Sequence, residues 1–73
     1  MAISYDEAVA VQRRHERRLL ALDGVSAVGV KQTQAGLVLE VTIDPDTPLP
    51  EELGQEALDG LPLRIVRGRF TLH

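Results

Sequence analysis

Along the first third of the chain, apolar residues recur at the spacing of a helix. Turning 100° per residue, Ala8, Val11, His15, Leu19 and Leu22 fall on one stripe. Tyr5, Val9 and Leu20 widen its edge, and Gln12 lies inside it. "SYDE" at the start has a Ser followed three residues later by a Glu, the pattern in which each side chain caps the other residue's amide. Asp6 and Glu7 add negative charge where the helix dipole favours it. Asp23-Gly24 supplies the stop, because glycine takes the left-handed conformation that ends a helix.

The period then changes from 3.6 to 2. In "VSAVGVKQ", Val28 and Val30 share a face with Ser26 and Gln32, while Ala27, Gly29 and Lys31 point the other way. "TQAG" reads as a short turn, with Gly36 free to take positive φ. "LVLEVTID" alternates cleanly, with Leu37, Leu39, Val41 and Ile43 on one face and Val38, Glu40, Thr42 and Asp44 on the other. The two runs predict a hairpin.

"PDTPLP" breaks the pattern, and "EELGQEALDG" then predicts a second helix, with Pro50 at its start, acids in its first turn and Gly60 at its end. Its apolar stripe is modest: Leu53 with Ala57 or Leu58, weakened by Gly54. "LPLRIVRGRFTLH" closes the chain as a strand, with Leu61, Leu63 and Ile65 opposite Arg64 and Val66. Gly68 marks a bend before Phe70 and Leu72. The expected fold is α+β, a two-layer sandwich in the order α-β-β-α-β. Its sheet has three strands, or four with the C-terminal tail, and both helices cover one face.

Length changes this picture. A single domain of 73 residues is near the lower limit for folding on its own core. Such chains commonly carry a staple or a partner. The cysteine count is zero, and His15 and His73 are the only histidines, so disulfides and thiolate or His-rich metal sites are excluded. Oligomerisation is the staple left, which points to a homodimer. Tyr5 and Phe70 are the only aromatics, so the core is built from Leu, Val, Ile and Ala. The N-terminus has acids where a signal peptide needs positive charge, and no run approaches the length of a membrane span. The expectation is a cytoplasmic protein without cofactor or metal.

One stretch looks more like chemistry than the rest. "QRRHERR" packs four arginines and a histidine into seven positions. Arg13, Arg14, Arg17 and Arg18 spread over the side opposite the apolar stripe, as a phosphate-binding surface requires. Against this, the whole chain carries a net charge of −3, and no aromatic platform is present for stacking bases. A solvated helix face explains the arginines more simply, and nucleic acid is not the expected partner. His15, inside the stripe, is a structural histidine that needs a hydrogen-bond partner. The acids of "IDPDTPLPEE" lack the glycine of a calcium loop and suit turns and a helix start. No nucleophile elbow, phosphate loop or Gly-x-x-Gly clamp is present, so no catalytic residue is assigned.

The sheet face turned away from the helices is half polar and half apolar: Ala27, Gly29, Lys31, Val38, Glu40, Arg64 and Val66. It is the candidate self-association face, with an edge strand as the other route. Residues 24–66, through "GVSAVGV", "GLVLEVTID" and "PLPEELGQEALDGLPLRIV", resemble a small α/β accessory module that precedes trypsin-like peptidase domains in some bacterial proteins. No peptidase domain is expected with it, so the resemblance implies an accessory fold and carries no catalytic residue. The expected function is a non-enzymatic interaction module. The alternative is a weak nucleic-acid or anion binder using the arginine face.

Overall fold

The computed structural model describes residues 3–68. Helix α1 spans Tyr5–Leu20 and begins as its sequence requires. The Ser4 hydroxyl oxygen accepts from the Glu7 amide at 3.2 Å, and the Glu7 carboxylate accepts from the Ser4 amide at 3.4 Å and the Ser4 hydroxyl at 2.9 Å. Ala8, Val11 and Leu19 are buried along the predicted stripe. Gly24, at φ +82°, turns the chain out of the helix and into the sheet.

Strands β1 (Val25–Thr33) and β2 (Gly36–Ile43) form the predicted antiparallel hairpin, with Gly36 at φ +118°. One detail departs from strict alternation. Val25 pairs with Ile43 but Ala27 pairs with Thr42, so Ser26 is an extra residue on β1. This bulge keeps Val25 against the core and leaves Ser26 exposed, donating its hydroxyl to the Thr42 carbonyl at 3.4 Å. Ser26 therefore does not share the face of Val28 and Val30.

The second predicted helix does not form. A single 3-10 turn, η1 (Glu51–Gly54), is followed by the two-residue strand β3 (Ala57–Leu58) and by β4 (Leu61–Arg67). Leu53 and Leu58, the residues this segment buries, are five positions apart, which is not a helical repeat. Asp59 and Gly60 both have positive φ, +48° and +85°. They make the two-residue turn of an antiparallel hairpin that pairs Leu58 with Leu61, not the end of a helix. The fold is α+β with one helix and a four-stranded mixed sheet ordered β1-β2-β4-β3, in which β2 and β4 run parallel. The fourth strand comes from the segment expected to be a helix. The tail with Phe70, Leu72 and His73 lies outside the described residues.

Leu39, Val41, Ile43, Leu53, Leu58 and Leu61 meet the α1 stripe in one core, with Val25, Val28, Val30, Leu63 and Ile65 packed around it. No described helix is long and apolar enough to cross a membrane.

Candidate functional site

Three surfaces hold the residues singled out in the sequence. The first is the arginine-rich side of α1. Arg14 Nη1 donates to Asp59 Oδ2 at 2.6 Å, and His15 Nε2 lies 2.8 Å from the same oxygen. Arg18 Nη2 lies 2.8 Å from His15 Nδ1, and its Nε is 3.6 Å from Glu52. A guanidinium can only donate, so His15 Nδ1 is the acceptor and the ring proton sits on Nε2, given to Asp59. Both ring nitrogens are thereby engaged, with only 12% of the side chain exposed. In this arrangement the ring has no free lone pair with which to take a substrate proton. The cluster is a clasp between the helix and the β3–β4 turn.

Asp59 feels the clasp most. Its hydrogen bond from His15, and then that from Arg14, hold its carboxyl below the ordinary value. The Arg14–Asp59 and Arg18–Glu52 pairs are solvent-exposed, so each adds little to stability. The sequence places His15 inside the stripe and in need of a partner, but gives no sign that the partner is Asp59. The signal lay in "LDGL", a hairpin dipeptide between two leucines, which puts an acid at a turn tip.

Arg14 and Arg18 are thus spent on internal partners. Arg13 and Arg17 remain exposed, with no ion pair among the described residues. The four arginines do not converge on a common point.

The second surface is the open sheet face. The strand register sets Ala27 beside Thr42 and Val66, Gly29 beside Glu40 and Arg64, and Lys31 beside Val38. All seven residues predicted for this face lie on it. Lys31 and Arg64 are exposed, while the other five are half-buried by their neighbours in the sheet. Arg64 Nε is 4.0 Å from Glu40, a loose pair. A Cβ built on Gly29 would meet nothing within 4 Å, so the middle of this face is open.

The third surface is the edge of β1 that no described strand pairs with, and the helix flank above it; the sequence offers an edge strand for self-association without saying which strand it is. The hairpin pair Thr33 and Gly36 closes a two-residue loop and exchanges its backbone hydrogen bonds. Alternation from there turns the N–H and C=O groups of Val28, Val30 and Gln32 away from β2. Gln12 Nε2 reaches the Val28 carbonyl at 3.4 Å, which sets the Gln12 side of α1 over this edge. Tyr5 and Leu20, on that side, are 63% and 47% exposed.

Among the described residues no group of three His, Cys, Asp or Glu side chains is arranged to hold a metal ion. No family model, curated protein or solved structure matches the chain.

Proposed function

We propose that the chain is a non-enzymatic interaction module that associates with itself through sheet surface its described residues leave open. One observation carries this reading: among the described residues the single helix α1 packs on the Leu39, Val41 and Ile43 face of the sheet, and no described element covers the opposite face. The open face (Ala27, Gly29, Lys31, Val38, Glu40, Arg64 and Val66) and the β1 edge are the two surfaces available. The resemblance of residues 24–66 to an accessory module agrees with a role without chemistry of its own, and the engaged nitrogens of His15 agree with it too. The alternative, an anion or nucleic-acid contact through the basic stretch, has less support. Two of its four arginines already hold acids of the same chain.

Light scattering on the eluting protein tests the reading directly. A mass of twice 8.0 kDa at micromolar concentration is the expected result. A monomer up to several hundred micromolar rejects it.

A further inference from the structure

Self-association can use the open face or the β1 edge, and the edge offers the more complete match to a second copy. Strand edges with unpaired amide and carbonyl groups are templates for another strand. Here the outward groups belong to Val28, Val30 and Gln32, and Val28 and Val30 flank Gly29. We propose that two copies of the chain pair antiparallel along β1, about a two-fold axis at Gly29, with the Tyr5, Val9 and Leu20 flank of α1 packed on its counterpart. This deepens the self-association reading and rests on it.

In that register Val28 pairs with Val30 of the second copy, Ser26 with Gln32, and Ala27 with Lys31. Val28 and Val30 exchange their outward amides and carbonyls with Val30 and Val28 of the second copy, and Lys31, the one charge on the strand, meets an alanine and not itself. The Val28 carbonyl has a second lone pair, so Gln12 need not leave it.

The helices fit the same axis. Helix α1 packs against both β1 and β2, and more against β1, so its axis sits less than half a strand spacing inside the edge strand. With strands about 4.8 Å apart, an inset of about 2 Å sets the two helix axes about 9 Å apart, within the usual packing range of about 8–10 Å. Gln12 contacts Val28, so the two-fold axis passes near the helix midpoint. Antiparallel helices related by it bring Tyr5 to Leu20, and Arg13 alongside Glu16, of the second copy. The two exposed apolar residues of α1 cover one another. The interface is self-complementary, as a two-fold contact must be.

Cysteine cross-linking tests the register, since the chain has no cysteine of its own. Gly29 faces Gly29 of the second copy as a non-hydrogen-bonded pair, with Cα atoms about 4.5 Å apart, inside the range a disulfide spans. Gly29→Cys has room for its side chain and should give more than half covalent dimer under mild oxidation. Ala27→Cys alone should not cross-link, whereas Ala27→Cys with Lys31→Cys should. Leu20→Glu, on an exposed site, should raise the dimer dissociation constant at least tenfold. Arg13→Glu should weaken the dimer, and adding Glu16→Arg should restore it. A Leu20→Glu chain that dimerises as tightly as the parent, with cross-linking through Arg64→Cys, would place the contact on the open face, where Gly29 also lies. The edge proposal would then fail while self-association stands. A chain that scatters as a monomer removes both.

Discussion

His15 Nε2 and the Asp59 carboxylate lie 2.8 Å apart, joining the third turn of α1 to the tip of a hairpin 44 positions away in the chain. The contact ties to the helix the tip of a hairpin whose Leu58 and Leu61 are already in the core. It also makes Asp59 the group through which acid acts on this region. Its carboxyl is held below the ordinary value by the His15 hydrogen bond first and by Arg14 second. A lowered folded value means that the unfolded chain binds the proton more tightly. The contribution is therefore complete above the unfolded value of about 3.9 and is lost as pH falls through the lower folded value. Asp59→Asn, which still accepts the left-handed backbone at φ +48°, should flatten this acid limb in urea melts from pH 5 to 2. An unchanged limb would mean the clasp does not hold in solution.

Ser4→Ala should cost about 1 kcal/mol, because the Glu7 amide loses its acceptor and the reciprocal bond to Glu7 loses its frame. The loss should appear as a lower urea midpoint with the slope unchanged. Equal midpoints for the two proteins would show that the helix starts elsewhere.

Two glycines give opposite expectations. At Gly24 a Cβ would lie 2.6 Å from the Thr47 side chain on a backbone at φ +82°, so Gly24→Ala should cost more than about 2 kcal/mol. At Gly29 the same substitution meets open space and removes backbone freedom from the unfolded chain. Gly29→Ala should raise stability by about 0.5 kcal/mol. Thermal melts of both variants, with the far-ultraviolet spectrum as a check on fold, measure the contrast. A Gly24→Ala melt that matches the parent would contradict the Gly24–Thr47 contact.

Leu53 sits in a single 3-10 turn, yet it is 2% exposed and part of the core. Leu53→Ala should cost about 2–4 kcal/mol, far more than an ordinary loop residue. A loss below about 1 kcal/mol would show that the segment packs loosely.

The first helix and the β1–β2 hairpin were legible because local rules agree there: a capping box, one clear stripe, clean alternation and glycines where φ turns positive. The bulge at Ser26 was not legible, since a single inserted residue leaves the apolar pattern on either side intact. The segment from Pro50 to Gly60 misled for a physical reason. Its proline, acids and glycine match a helix's punctuation, but its buried leucines lack a helix's spacing, and "DG" suits a hairpin as well as a cap. Of the candidate surfaces, the open face followed directly from strand alternation. The β1 edge and the Asp59 clasp required strand order and a long-range contact, which no local pattern encodes.

The parallel pairing of β2 with β4 has a consequence for how the chain assembles. Helix α1 and the β1–β2 hairpin are consecutive in sequence and can come together by closing short loops. Strand β4 can dock only after the chain from Asp44 to Gly60 has swung round to bring Leu63 beside Leu39, a larger entropic demand. The last event also completes the core, because Leu53, Leu58 and Leu61 arrive with it. The amides of β3 and β4 should therefore exchange with solvent through a smaller opening than those of α1, β1 and the inner side of β2. On this account the clasp of Arg14, His15 and Arg18 on Asp59 and Glu52 acts as a latch on the part of the protein that arrives late and leaves early.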